Sequence, residues 1–238
     1  MNISTTEPMG NRLVDPSALS DTELEIKELR KDVTAMIRQG QKCQDLMDHP
    51  LWLRALNPTS RAKEHPLHAA IRIRRWDLAH WLLDQGCRSL ETPRDRDTNL
   101  MTILEAKEPD MGSMGQDAEK MTLFSRLLGL GIDVNRTNGQ GDTALFYAVY
   151  HRNDMALSLL VDRKANVSAH NKLGNNIVHA LAYSPQENSD FIKKVVNLDP
   201  TNCTMKNNQG DTPLATALLF GNKAVVKCLL ELGEQAQV

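Results

Sequence analysis

The chain has 238 residues, of which 41% are hydrophobic and 24% are charged, a composition ordinary for a soluble globular protein. Its formal net charge of −2 provides no excess of Lys and Arg, so a general nucleic-acid-binding surface is disfavoured. The four cysteines lack paired spacing, which argues against a disulfide framework or a Cys-based zinc site and is typical of a reduced cytosolic protein.

The first 20 residues are rich in Ser, Thr, Pro and Asn and predict a disordered segment. They lack the basic region and the apolar core of a signal peptide. Further along, no apolar run approaches the ~20 residues that span a bilayer. We therefore expect a cytoplasmic protein that does not insert into membranes.

Residues 21–60 predict a helical segment. Ser20 and Glu23 have the spacing of a capping box, and apolar residues follow at helical spacing from Leu24 to Ile37. A second, shorter apolar pattern is interrupted near Pro50. Two interpretations are open: a cap that covers the first unit of the following domain, and an amphipathic helix that binds a partner.

Five similar units come next. A His, Thr or Asn marks the same place in each unit, and successive marks lie 33, 45, 33 and 36 residues apart. An apolar pair and a turn follow later in each unit, as in "RLLGLGIDVN" and "CLLELG", and the fourth unit, with "KKVVNLDP", is the least regular. The five register marks are His65, Thr98, Thr143, Asn176 and Thr212.

The segments "GDTPLATA", "GDTALFYA", "HPLHAA" and "GLGIDVN" resemble ankyrin repeats, and the resemblance covers about 61–238. It implies an all-α ankyrin-repeat solenoid of about five helix-turn-helix repeats behind a helical N-terminal cap. Thr or Asn at the mark suits the cap of a first helix, and Asn138–Gly139 suits a tight turn at the tip of a finger, the hairpin that joins two repeats. No unit can bury its apolar face alone, so each is stable only in a stack.

The domain boundaries follow from this register. We expect a disordered segment at 1–20, a helical cap at 21–60 and an ankyrin-repeat domain at 61–238. Glycines, a proline and acidic residues in the second repeat predict an exposed, inserted loop at 107–118. The repeats themselves are predicted at 61–93, 94–138, 139–171, 172–207 and 208–238.

The last repeat is predicted to leave an apolar surface uncovered. Leu218, Leu219 or Phe220 would lie near that surface, because only a short tail follows the second helix. Either the surface meets a partner or the chain belongs to a longer array.

No catalytic motif is found in the sequence. A nucleophile elbow, a Gly-rich phosphate loop and the HExxH metal motif are all absent, so we expect a protein that is not an enzyme and has no catalytic residues, cofactor or metal. His68 and His179 occupy the histidine position of the ankyrin motif, where the resemblance implies hydrogen bonds between neighbouring fingers. A metal site is the alternative.

The resemblance further implies that a partner protein binds the concave face formed by the finger tips and the ends of the first helices. Tyr150 and Tyr183 fall at the same position of that face, and aromatic residues are common anchors of interfaces. The alternative is that both rings only pack on adjacent repeats. The predicted partner-binding residues are Arg72, Arg94, Asp95, Gln140, Asp142, Tyr150, His151, Lys172, Tyr183, Gln209, Asp211 and Phe220.

Two surface features have further interpretations. Residues 54–75 hold six basic side chains against one acid, which is either an ordinary solvated surface or a patch that steers an acidic partner. In "LLGLGIDVN", Leu127 lies eight residues before Asn135. This spacing is similar to ankyrin asparagines that are β-hydroxylated, which implies a possible hydroxylation of Asn135.

The function predicted from these features is a monomeric, non-enzymatic protein–protein interaction module whose partner is not named by the sequence. Its degenerate repeats resemble the ankyrin effectors with which intracellular bacteria act on host proteins in the host cytosol. A cytosolic adaptor or an inhibitor subunit of an enzyme is the alternative. An enzyme with a cryptic site in the N-terminal region is the third interpretation.

Overall fold

The computed structural model describes residues 21–57, 65–88, 97–105, 114–184 and 188–235. All regular secondary structure within these ranges is helical, and short 3₁₀ helices occur at Gln44–Leu46 and Pro200–Cys203. The α-helices are α1 (Asp21–Arg38), α2 (Trp52–Leu56), α3 (Pro66–Arg72), α4 (Trp76–Asp84), α5 (Asn99–Glu105), α6 (Met114–Gly129), α7 (Ala144–Tyr150), α8 (Asp154–Asp162), α9 (Ile177–Tyr183), α10 (Ser189–Leu198), α11 (Pro213–Leu219) and α12 (Lys223–Gln235).

The helices from α3 onward form two layers. The first helices α3, α5, α7, α9 and α11 each pack against the next one along the chain. In the second layer, α4 packs against α6 and α6 against α8, while α10 packs against α12. Each first helix also packs against the second helix that follows it. This arrangement confirms the predicted all-α solenoid of helix-turn-helix repeats.

The core lies between the two layers and between successive repeats. The apolar residue two positions after the register mark is fully buried in four repeats, as Leu67, Leu100, Leu145 and Val178. Burying a side chain of this size stabilises the fold by roughly 1.5–3 kcal/mol. In the last repeat the equivalent Leu214 is only partly buried. Full burial therefore accompanies helices packed on both sides, and in the first repeat α1 provides one of them.

Helix α1 covers the first side of the stack. Its residues Leu29, Val33 and Ile37 are buried, and the helix packs against α2 and α3. Arg75, at the start of α4, donates from Nη1 to the carbonyl of Gly40 over 2.8 Å and ties the loop after α1 to the first repeat. Ser20 of the predicted capping box lies outside the described residues.

The structure corrects the predicted loop at 107–118. Residues 114–118 belong to α6, which begins at Met114. The buried Phe124 and Leu127 anchor the later turns of this helix. Residues 107–113 lie outside the described part of the chain, and the repeat boundaries stay a prediction.

Capping differs among the first helices. The side chain of Asn176 accepts from the backbone N–H groups of Val178 and His179, and that of Thr212 accepts from Ala215. Thr143, in contrast, has a buried hydroxyl without a hydrogen-bond partner among the described residues, so its predicted capping role is wrong.

Three fingers share one turn built around an asparagine. In each, the amide oxygen of Asn138, Asn171 or Asn207 accepts from the backbone N–H groups two and four residues later, at 3.0 Å. The residue with left-handed backbone in the first finger is Gly141 (φ 84°) rather than Gly139 of the predicted Asn-Gly turn. A Cβ on Gly141 would lie 2.9 Å from the backbone nitrogen of Lys172 in the next finger.

We expect Gly141→Ala to destabilise the protein more than Gly210→Ala. Both glycines have nearly the same left-handed backbone, with φ of 84° and 87°, but Gly210 has open space where a Cβ would lie. Gly210→Ala should cost about 1 kcal/mol of unfolding free energy from backbone strain alone. Gly141→Ala should cost at least about 1 kcal/mol more, because the next finger must move. Urea unfolding of both variants measures the difference, and equal losses would contradict this description of finger packing.

Candidate functional site

A groove of about 830 Å³ runs along the first helices beneath the fingers. Its walls come from α3, α5, α7 and α9 and from the fingers that follow α6 and α8. We call it the finger groove. Its lining includes Arg72, Arg74, Glu105, Asp142, Tyr147, Tyr150, His151, Leu173 and Tyr183.

The finger groove brings together five of the predicted partner-binding residues: Arg72, Asp142, Tyr150, His151 and Tyr183. Phe220 lies against Tyr183. Three further predicted residues, Gln140, Lys172 and Gln209, are exposed at finger turns, and Asp211 is half-buried. Arg94 and Asp95 lie outside the described residues. A role of these side chains in binding stays a prediction.

The aromatic residues of the groove differ in environment. Tyr183 packs edge-on against Phe220 of the last repeat, with ring centroids 4.7 Å apart, and accepts a hydrogen bond from Asn175. Tyr150 is 44% exposed and contacts His151 edge-on at 5.0 Å. The packing interpretation therefore describes Tyr183 well, whereas Tyr150 keeps much of its ring open to a ligand.

Sequence reasoning missed a polar network at the centre of the groove. The hydroxyl of Tyr147 donates to Oδ1 of Asp97 over 2.8 Å, and Nδ2 of Asn138 donates to the same oxygen over 2.7 Å. Burial, followed by this contact with Asp97, raises the pKa of Tyr147, so the phenol stays protonated. In the sequence, Tyr147 lies about one helical turn before Tyr150. This spacing is the feature from which a place for Tyr147 in the groove could have been predicted.

Leu173 is a second groove residue that was not predicted. It lies in a finger turn, where most residues are polar, yet its side chain is 60% exposed. An apolar residue in a turn is visible in the sequence, and it could have led to the prediction of Leu173 as a groove residue. Leu173, Tyr150 and Tyr183 line the later part of the groove, and Phe220 packs against Tyr183 beside it. We call these four residues the apolar strip. Arg72 and Glu105 line the earlier part, which is charged.

Hydrogen bonds between side chains connect one finger to the next. Asn171 donates from Nδ2 to Oδ1 of Asp142 over 2.8 Å, and Asn207 donates to the amide oxygen of Asn175 over 2.9 Å. Backbone contacts add to these, since Lys172 donates to the carbonyl of Gln140 over 2.9 Å. Asp142 therefore has a structural role as well as a place in the groove. The fingers form a connected, preorganised wall.

The two motif histidines make structural hydrogen bonds. Nδ1 of His68 lies 3.0 Å from the amide oxygen of Asn99 in the next repeat. Nδ1 of His179 accepts from the backbone N–H of Asn176, and its Nε2 donates to the carbonyl of Asp211 in the next finger over 3.1 Å. These contacts confirm that the imidazoles connect neighbouring repeats. Within the described residues, no group of three His, Cys, Asp or Glu side chains is arranged to hold a metal.

The basic stretch at 54–75 has one member with a clear structural role. Arg75 forms a two-pronged ion pair with Asp77, with both N–O distances 2.9 Å, in addition to its contact with Gly40. This pairing favours the interpretation as a solvated surface for Arg75. Arg72 and Arg74, in contrast, line the finger groove. Arg61, Lys63 and Glu64 lie outside the described residues.

Two further expectations concern the state of the cysteines and insertion into a membrane. All four cysteines are free, and burial raises the pKa of the Cys43 and Cys203 thiols to about 11, so both stay protonated near neutral pH. None of the described helices combines the length and the apolar character needed to cross a membrane.

The paired layers, the connected fingers and the groove beneath them define a helical repeat solenoid. Residues 117–156 match the family model described as ankyrin repeats (many copies). Over 175 residues, or 71% of the chain, the sequence is 27% identical to transient receptor potential cation channel subfamily A member 1 from Homo sapiens. That region is 15% of the length of the human protein. Together with the helical solenoid, these matches support an ankyrin-repeat protein, and ankyrin repeats are typical of protein–protein interaction modules.

We expect the stability of the protein to fall as the pH drops below about 6.5, in part because of His179. Burial lowers the pKa of His179 in the folded protein below its usual value near 6.5. The unfolded chain therefore binds the proton first, so the stability is fully present above pH 6.5 and is lost as the pH falls toward the folded-state pKa. Urea unfolding between pH 7.5 and 5 measures this loss. His179→Gln, which does not titrate but can still donate to Asp211, should show a smaller loss, and an unchanged pH dependence would contradict the assignment.

Proposed function

We propose that this chain is a non-enzymatic module that binds a partner protein in the finger groove. The observation that carries the proposal is the exposed ring of Tyr150 inside a preformed groove of about 830 Å³, beside the exposed Leu173. Aromatic side chains that are partly exposed in a concave site gain most from desolvation by a partner. An apolar segment of the partner fits the strip formed by Tyr150, Leu173, Tyr183 and Phe220.

The rigidity of the groove supports this function. Hydrogen bonds between Asn171 and Asp142 and between Asn207 and Asn175 fix the position of each finger relative to the next. A wall that is ordered before binding loses little conformational entropy when a partner arrives. The exposed finger residues Gln140, Lys172 and Gln209 would then provide polar contacts at the rim, where residues add specificity more than affinity.

The chemistry of the groove supports a non-enzymatic role. The phenol of Tyr147 is held by Asp97 in its protonated form, and His179 is committed to two structural hydrogen bonds. The buried thiols have raised pKa values and are weak nucleophiles near neutral pH. The described part of the groove thus resembles a recognition surface.

We place the module in a reducing cytosol, because its four cysteines are free thiols. The degenerate repeats and the helical cap support an effector that acts on host proteins. A cytosolic adaptor or an inhibitor subunit of an enzyme uses the same groove in the same way. The identity of the bound protein distinguishes these roles.

Asn135 is proposed as a hydroxylation site. It lies in the exposed turn after α6, and its amide oxygen accepts from the backbone N–H of Asn166 over 2.7 Å. The backbone N–H of Asn135 in turn donates to Asp133. The Cβ atom carries no hydrogen bond, so an added hydroxyl leaves these contacts in place.

Tyr150→Ala should weaken partner binding by about tenfold or more while leaving the helical content unchanged, since the exposed ring contributes to binding rather than to folding. A photo-crosslinking residue at position 150 would first identify the partner, with the same residue at Met155 on α8, outside the groove, as the control. Titration of the purified partner against both proteins then gives the dissociation constants. Equal affinities, or equal crosslinking from position 155, would refute the proposal.

The proposed modification of Asn135 can be checked by mass spectrometry of the peptide 127–136 after expression in eukaryotic cytosol. We expect a peptide heavier by one oxygen atom, with fragment ions that place the oxygen on Asn135. Asn166 follows "KA" in the corresponding turn of the next repeat and is the internal control. A peptide without added oxygen, or oxygen on Asn166 alone, would overturn this assignment.

A further inference from the structure

One position of the first helix lines the finger groove in four successive repeats. It lies seven residues after each register mark and holds Arg72, Glu105, Tyr150 and Tyr183. All four side chains line the groove, where Arg72, Glu105 and Tyr150 are exposed and Tyr183 is half-buried. The groove therefore presents a basic, an acidic and two aromatic side chains in that order along its length.

Neighbouring groove residues strengthen this order. Arg74 lines the groove in the same repeat as Arg72, and the exposed Leu173 lies in the finger that leads into the repeat of Tyr183. Glu105 forms no ion pair with any other described residue. The successive parts of the groove are thus complementary to an acidic, a basic and an apolar side chain of a partner.

The spacing of these positions favours one backbone conformation of the partner. Packed helices lie about 8–10 Å apart, so one step from repeat to repeat along the groove is about 9 Å. A polyproline II segment places every third side chain on the same face, about 9 Å along its axis. A β-strand places side chains on one face about 6.7 Å or about 13 Å apart, so it does not stay in register with the repeats.

An α-helix also returns to the same face, after seven residues or about 10.5 Å. However, a helix about 10 Å across that covers the three steps from Arg72 to Tyr183 occupies roughly 2,000 Å³. That volume is more than twice the groove volume of about 830 Å³. A thin, extended segment is therefore the occupant that fits the groove.

We propose that the partner enters the finger groove as an extended segment in which every third residue contacts the next repeat. An acidic side chain lies at Arg72, a basic one at Glu105, and apolar ones at Tyr150 and Tyr183. The inference rests on the proposed function, since it describes the partner of the same groove. The apolar side chains provide most of the affinity, whereas the charged ones select among segments that carry them.

Selection of random dodecapeptides displayed on phage, with the full chain as bait, tests the proposal. We expect enrichment of an acidic, a basic and two apolar residues, in this order along the groove and each three residues apart. Glu105→Lys should replace the selected basic residue by an acidic one, and Arg72→Glu should replace the selected acidic residue by a basic one. Glu119→Lys introduces the same charge change at an exposed position of α6 outside the groove, and it should leave the pattern unchanged. Circular dichroism confirms that each variant is folded.

The outcomes separate this inference from the proposed function. Peptides that are lost with Tyr150→Ala, but whose charges do not change with Glu105→Lys or Arg72→Glu, would overturn the inference and leave the proposed function in place. Charged residues at another spacing would have the same meaning. A selection that enriches no peptide, or that is insensitive to Tyr150→Ala, would contradict the proposed function, and the inference would fail with it.

A synthetic peptide with the selected pattern gives the size of the effect. Replacement of its basic residue by an acidic one should weaken binding to the unmodified chain several-fold at low salt, roughly the effect of one exposed ion pair. Glu105→Lys should recover most of this loss, because opposite charges then face each other again. Fluorescence anisotropy titrations measure the dissociation constants. A reversed peptide that binds both proteins equally weakly would refute the contact with Glu105.

Discussion

Each hairpin of this protein depends on its neighbours to bury its apolar residues. Val149 and Leu157 are fully buried in an inner repeat, whereas the equivalent Leu218 and Val226 of the last repeat remain accessible. Burial between repeats therefore explains the solenoid, the helix α1 that covers its first side and the apolar face that remains on its last side. Short helices of seven residues are marginal in isolation, and here they are stable because of these contacts.

The residues that pack the repeats together and the residues that line the groove point in different directions. The residues that face the neighbouring repeat are apolar and alike, whereas those that face the groove range from Arg72 and Glu105 to Tyr150 and Tyr183. The fingers combine both roles, since Asp142 accepts a hydrogen bond from Asn171 and also lines the groove. A change at Asp142 would thus alter the shape of the groove along with its charge.

The sequence alone predicts the parts of the fold that repeat. Periodic marks locate the first helices, and the positions of Tyr150 and Tyr183 in the groove follow from the same period. The parts that occur once were missed: the start of α6 within the insertion, the hydrogen bond from Tyr147 to Asp97 and the exposed Leu173. Asp97 and Tyr147 are 50 residues apart, so no local pattern could pair them. Thr143 shows that even a repeated position can have different hydrogen bonds in different copies.

The asparagine turns also bear on how such a chain changes in length. Asn138 and Asn171 are 33 residues apart, and each one bonds backward to the preceding finger and forward within its own turn. A duplicated segment of 33 residues would bring its own asparagine and its own acceptor, and both new junctions would match the existing ones. Insertion of a whole unit at this point would preserve the hydrogen bonds on either side, whereas the gain or loss of a few residues would break them. Evolution by recombination, and protein engineering by the same means, can therefore lengthen or shorten the groove in whole steps.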